Sequence, residues 1–414
     1  MSKNKVKTNN SASSFIGKLT QENLHKKLCP IYLALVAVLP SLSYANLVPD
    51  TNSNAPTISE SANGTPTVNI INPNDNGISH NKFEDFNVGP DGLIFNNSMQ
   101  DGVSSIGGYI IKNGQLQQEA SAIISEVTGA KGSYLNGTME VFGKKADLII
   151  ANENGISVNG VSTINANNLT LSTGRVEYGE NGNVQLNVNR GLIAVEGRGL
   201  STEGLTHFDM ISRTVKLDGE VSGSADIKVV AGLNTYDTKT RQHQVRDLSA
   251  ADTPKVAIDG SSLGSMYGGK IQLISTESGV GVRHKGSLVG NQTVEISADG
   301  DLVLTAISSK SGDVNLSGNN IDISVNENTG FGGVISNGSL IIRALSQVIL
   351  SADAVSNNGN IRITADSLLQ NAARIFAMSG DSDKIDVTSI FIDVKGEYKI
   401  TGTLFALDAS GKNR

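Results

Sequence analysis

Beyond residue 46 the apolar residues of this chain alternate. Val, Ile and Leu stand two positions apart in runs of four to six residues, broken by Gly, Asn and Asp. A period of two predicts strands with one buried face, and the punctuation predicts tight turns. Helical periodicity is hard to find. The last third is clearest. Val294 and Ile296 recur as Val314 and Leu316, 20 positions on. Ile321 and Ile323 recur as Leu340 and Ile342, 19 on, and then as Ile361 and Ile363, 21 further on. Leu302/Leu304, Val348/Leu350, Ile385/Val387 and Ile392/Val394 fall between them, with polar neighbours such as Glu295, Asn315, Asp322, Arg362 and Asp386. Asp299-Gly300, Ser311-Gly312, Asn337-Gly338 and Asn358-Gly359 read as turns.

Short alternating strands with a period near 20 predict a β-solenoid. A single coil cannot bury its own apolar face. Stacked coils bury a continuous column and pair every strand except those at the ends. Each inward Val, Ile or Leu contributes about 1.5–3 kcal/mol. A β-sandwich is the competing reading, but its strands recur every 8–12 residues or so without a longer repeat. The expected fold is therefore all-β, a parallel β-helix with an N-terminal cap and extra-helical hairpins or loops. At about 20 residues and about 4.8 Å per coil it would hold roughly 18 coils over roughly 90 Å. Thr235 to Thr253 is polar, shows no strand pattern and reads as an excursion. Composition agrees with a narrow core. There is no Trp, and aromatic residues make up 4% of the chain. Val, Ile, Leu and Ala must do the filling that large aromatics do in wide cores.

Residues 1–45 read as an export signal to be set aside from the fold. Lys3, Lys5, Lys7, Lys18, Lys26 and Lys27 form a long basic region before the apolar run Ile31 to Leu39. Ser43-Tyr44-Ala45 suits cleavage after Ala45. The apolar run is short of the ~20 residues that span a bilayer, which argues against an uncleaved anchor. Removing six Lys and Glu22 leaves a mature chain with a net charge of −12, unfavourable for nucleic acid and for anionic membranes. Cys29 leaves with the signal, so the mature chain would have no disulfide.

One ordered series of motifs runs from about Val68 to Gly286. Asn76-Gly77-Ile78-Ser79-His80-Asn81, Phe83, Phe86-Asn87-Val88 and Gly92-Leu93-Ile94-Phe95-Asn96-Asn97-Ser98 open it. Leu135-Asn136-Gly137, Glu140-Val141 and Gly143-Lys144-Lys145-Ala146-Asp147 lead into Ile149-Ile150-Ala151-Asn152. Leu169 to Gly174, Leu263 to Ile271 and Gly279 to Val282 close it. This series resembles the secretion domain of the two-partner-secretion exoproteins, the filamentous-haemagglutinin-like family. The chain departs from the family twice. Asn152-Glu153-Asn154-Gly155-Ile156 stands where the family has N-P-N-G-I, and Asn113-Gly114-Gln115-Leu116 where it has N-x-N-L. Pro pre-sets φ at a turn and Asn tolerates the left-handed region, so Glu153 loosens the turn without forbidding it.

The resemblance implies a right-handed helix, with residues 46–290 as the secretion domain and 291–414 as continuing coils. It implies export across the inner membrane, then passage unfolded through a dedicated outer-membrane β-barrel transporter with POTRA domains. The protein would end secreted or at the cell surface, with the N-terminal domain nucleating the helix. Asn113, Leu116, Asn152, Asn154, Gly155 and Ile156 would be the secretion motifs, either read by the transporter or simply holding turns. Asn76, Gly77, Ser79, His80, Asn81, Asn96, Asn97 and Ser98 are expected to serve as turn residues. The implied activity is adhesion or haemagglutination, directed at a receptor or glycan on a host or neighbouring cell. A truncated stalk of a contact-dependent growth inhibition toxin is the alternative.

Catalysis finds little support. β-Helices also host polysaccharide-active enzymes, and Asp381, Asp383 and Asp386 cluster near a turn. Two carboxylates alone are a weak signal, and sugar clefts favour aromatic platforms, whereas this chain has no Trp. His80, His207, His243 and His284 show no metal-ligand spacing. The Gly-rich runs precede no helix, so no phosphate cradle is expected. No cofactor or metal is expected.

Overall fold

The computed structural model describes residues 46–52, 55–246, 253–326, 330–378 and 389–407. The expected export signal with its expected cleavage after Ala45, the Asp381, Asp383 and Asp386 cluster and the Ile385/Val387 pair lie outside these residues.

Every regular element among the described residues is a strand. One coil shows the plan. Ile271–Ser275 lies on a first face. Gly281–Gly290 crosses a corner at a register shift between His284 and Ser287, putting its front half on a second face and its back half on a third. Val294–Ala298 then returns to the first face, with Val294 opposite Ile271. Inward positions are apolar on all three faces: Ile271, Leu273, Val282, Leu288, Val294 and Ile296 are each at most 1% exposed. The first face holds 13 strands, of which all but the first run parallel.

The stack holds 12 parallel strands on its first face, not about 18. Coils without excursions do repeat near 20 residues: Leu148 pairs with Leu169, Phe208 with Ile227 and Val294 with Val314. Other coils spend residues outside the stack. Ile78 pairs with Ala122, Leu169 with Phe208 and Ile227 with Ile271. The stack is thus about 50–55 Å long at about 4.8 Å per step. The expected chain of Ile321 to Leu340 also fails. Ile321 sits on the second face between Leu302 and Val348, while Leu340 sits on the first between Val314 and Ile361. Two faces of one coil carry the same alternation, so spacing alone misassigned the register.

The N-terminal end is capped by reversed strands. Leu47–Pro49 runs antiparallel to Ile78–Phe86 and covers the first face's open edge. Thr57–Glu60 pairs antiparallel with Pro66–Asn69, which lies beside Leu93–Asn97 on the third face. Beneath them Phe83, Phe86 and Phe95 pack together, with centroids 5.0 and 6.4 Å apart. Among the described residues Phe208 is the other aromatic side chain of this core, which is otherwise filled by aliphatic residues.

Thr235 to Thr253 is not strandless, contrary to the sequence expectation. Asn234–Asp237 and Gln242–Val245 join Gly174–Tyr178 and Val184–Val188 in a four-stranded antiparallel sheet outside the helix. Its Val176, Leu186, Val188 and Tyr236 cover a second core made by outward residues of the first face, among them Ile124, Ile149, Ile211 and Val230. Tyr236 is the single large apolar group of its strand, so the polar neighbours mask the alternation. Its hydroxyl donates to Asp209 Oδ2 at 2.8 Å, which satisfies the one polar atom the burial would strand.

Among the described residues the C-terminal coils carry no such cover. Their third-face corner is held by a serine ladder, Ser309, Ser336 and Ser356 in register. Each hydroxyl donates to carbonyls of the turn that follows, such as Gly312 O at 2.6 Å and Gly359 O at 2.7 Å. These bonds satisfy carbonyls that have no strand partner at the corner.

Candidate functional site

The predicted motif residues converge on the N-terminal coils, where irregular loops must be tied to strands. A buried backbone N–H or C=O without a strand partner needs another one. An Asn amide offers two donors and an acceptor in one short side chain. Asn113 is 3% exposed and its Nδ2 donates to Ile70 O at 2.8 Å and Asn96 O at 3.0 Å, while its Oδ1 accepts from Gln115 N. Leu116, three residues on, is buried in the main core. Asn152 is 1% exposed and donates to Lys131 O and Ser133 Oγ, both at 2.9 Å. Its Oδ1 accepts from Asn154 N, and Asn154 in turn donates to Gly129 O at 2.8 Å. The turn closes with Gly155 N donating to Asn152 O at 3.0 Å. Gly155 has φ +112°, and a Cβ there would press on Leu192 O at 3.0 Å. Ile156 then enters the core.

The turn therefore stands without proline. Glu153 projects outward and its carboxylate accepts from Arg175 Nη2 at 3.1 Å. In the folded chain Asn113 and Asn152 face inward, whereas Asn154 is half-buried and its Oδ1 accepts from Arg190 Nη2 at 3.3 Å.

The second group divides differently from expectation. Asn76 and Gly77 do form a turn, with Gly77 N donating to Asn74 O. Ser79, His80 and Asn81 belong to the strand Ile78–Phe86, and Asn96 and Asn97 to Leu93–Asn97. The strand is possible because the inward amides replace turn contacts with ties to passing chain. Asn81 accepts from Ile71 N at 2.9 Å, and Asn97 binds Ala120 through both its N–H and C=O. Ser98 follows the strand and its hydroxyl donates to Gln100 O. His80 points outward. Its Nε2 meets Glu126 Oε2 at 2.9 Å and its Nδ1 meets the Tyr178 hydroxyl at 2.9 Å, so it joins the first face to the outer sheet. Burial alone would raise the Glu126 pKa, but His80 and the Val176 N–H hold it below the ordinary carboxylate range.

Sequence reasoning missed His284. It is fully buried at the bend of Gly281–Gly290, with Nε2 2.9 Å from Gly264 O and Nδ1 3.3 Å from Gly286 O. Burial pushes its pKa down to about 4, against the pull of these two carbonyls. It also missed Arg213, which pairs with Glu277 beneath the outer sheet while Glu277 accepts from Leu233 N. Strands apolar on both sides were the available signal for the second core: Leu148-Ile149-Ile150-Ala151 and Val229-Val230-Ala231. Among the described residues, no group of three or more His, Cys, Asp or Glu is placed to hold a metal ion.

The described residues thus form a capped parallel β-helix whose irregular coils are tied by buried amides. Comparison with known proteins gives the family. The TPS secretion domain family matches residues 45–304, more than half of the chain. The filamentous hemagglutinin of Bordetella pertussis is 46% identical over 288 residues, covering 68% of this chain and 8% of that protein. The 16S rRNA endonuclease CdiA of Enterobacter cloacae is 34% identical over 368 residues, covering 88% of this chain and 11% of that protein. The crystal structure of the filamentous hemagglutinin secretion domain, 37% identical, superposes with a TM-score of 0.60, covering 84% of this chain and 99% of that one. The chain belongs to the two-partner-secretion exoproteins, and its fold is their right-handed β-helix. It spans about a tenth of the length of these two curated relatives. Proteins of this family are secreted or associated with the cell surface, and the domain implies a cognate outer-membrane transporter.

Proposed function

We propose that this protein is an adhesin of the haemagglutinin type, serving cell adhesion and virulence. Residues 46–290 act as the secretion domain and folding nucleus, and 291–414 extend the presenting surface. The observation that carries the reading is the 46% identity to filamentous hemagglutinin across the capped, asparagine-tied coils. The outward positions of the later first-face strands, such as Glu295, Asn315, Arg343 and Arg362, give a polar surface suited to a cell-surface receptor or glycan. The transporter partner is a POTRA-containing β-barrel that engages the chain before it folds. The buried motif asparagines favour this order, since Asn113 and Asn152 are accessible only in the unfolded chain. The protein acts by binding and not by catalysis, and nucleic acid is not among its partners.

Deleting Val68 to Ser98 tests the secretion role. The expected result is loss of the protein from the medium and its retention in the periplasm; unchanged release would overturn the assignment. Purified protein that fails to bind red cells or epithelial cells would overturn the adhesin role. The CdiA relatives favour a second reading, the stalk of a growth-inhibition toxin, because one of them matches 88% of the chain. Killing of neighbouring bacteria that depends on this gene would select it.

A further inference from the structure

A cleft of about 490 Å³ opens between the outer surface of the first face and the tip of the four-stranded sheet. That volume falls within the ~300–1,000 Å³ usual for small-ligand sites. Its floor is apolar, formed by Ile78, Ala122, Ile149 and Val184. One wall is a ladder of polar groups from successive coils. Asp147 sits at a bulge in its strand, and its Oδ1 accepts from Asn168 at 2.7 Å and Asn167 at 3.0 Å. Asn168 lies opposite His207 in the next strand. The second oxygen of Asp147 has no partner among the described residues. Arg241 Nη1, which can only donate, lies 2.9 Å from His207 Nδ1. The proton of a neutral His207 is therefore on Nε2, which likewise has no partner there.

Charge narrows the ligand. Arg241 is spent on Asp209, at 2.6 Å, and Asp209 also accepts from Tyr236. A cation would face Arg241 and Lys239, and an anion would face Asp147 and Asp209. A ligand with neighbouring hydroxyls fits best. One hydroxyl donates to the open Asp147 oxygen, another accepts from His207 Nε2–H, and the C–H face lies on the aliphatic floor. We propose that this cleft binds one unit of an uncharged glycan. The proposal deepens the adhesin reading and rests on it for its biological purpose, but not for the binding itself.

The test is a titration of the purified mature protein with a panel of neutral mono- and disaccharides, read by calorimetry. At least one sugar should bind, and Asp147→Asn should weaken it about tenfold, as expected for loss of a hydrogen bond to a charge. Ser121→Phe, at the exposed rim, should abolish binding while leaving the unfolding midpoint in place. If no sugar in the panel binds, or if the folded Ser121→Phe protein binds as well as the parent, the proposal is overturned. Cell adhesion separates the two ideas. Sugar binding unchanged by Ser121→Phe, in a protein that adheres to cells, sinks the cleft and leaves the adhesin reading standing. Sugar binding that depends on Asp147, in a protein that does not adhere to cells, does the reverse.

Discussion

The coils before residue 245 and those after 290 solve the same problem in two ways. Both stack parallel strands on three faces. The early coils vary in length, carry hairpins outside the stack and fasten their loops with inward asparagines and a reversed cap. The later coils use repetition: aliphatic columns inside and serines at a corner. In the later coils stability grows with each neighbour added. In the early coils it depends on parts far apart in sequence, so damage there should spread.

That contrast is testable, beginning with its largest effect. Phe86→Ala removes the centre of the aromatic cluster and should destabilise the protein by about 3–5 kcal/mol, abolishing protection throughout the chain. Ile342→Ala should cost about 2–5 kcal/mol at its site but leave the coils before residue 245 protected. Hydrogen exchange distinguishes the two, and equal spread from both would break the comparison.

Acid acts at the junction of the regions. His284 has a folded pKa of about 4, below the ordinary value of 6.5, so the unfolded chain binds the extra proton. Its contribution is complete above about pH 6.5, is lost as pH falls, and levels off near pH 4, with a total of roughly 3 kcal/mol. Urea midpoints between pH 7 and pH 4 should show this slope, reduced in His284→Gln.

Asn152→Ala leaves Lys131 O without its donor and should cost about 1–3 kcal/mol, whereas Asn315→Ala on the outer surface of the later coils should change stability by under about 0.5 kcal/mol. Chemical denaturation of both reads the difference. The smallest effect is expected at Glu153. Glu153→Pro suits the second position of the turn and gives up only an exposed ion pair. The net should be a gain of up to about 1 kcal/mol, seen as a slightly higher melting temperature.

The later coils were legible because one alternation served one buried face. Val294 to Leu316 announced both strand and repeat. Register was less legible, since Ile321 and Leu340 carry the same signal on different faces. The outer sheet was hidden for another reason. Its strand Asn234–Asp237 buries Tyr236 among polar residues whose partners, such as Asp209, lie in other coils. The motif positions could be placed by resemblance, but their inward orientation could not. An Asn before a Gly looks the same whether it lines a solvated turn or ties two buried segments.

The outer sheet also imposes a schedule. Leu186 pairs with Tyr236, and Asn234 with Val245, so the cover over Ile149 and Ile211 needs segments emerging some 50 residues apart. A chain delivered from its N-terminus exposes that greasy strip first and receives its cover later. Until Tyr236 has arrived, the half-built molecule leaves an adhesive stripe open to whatever surrounds it.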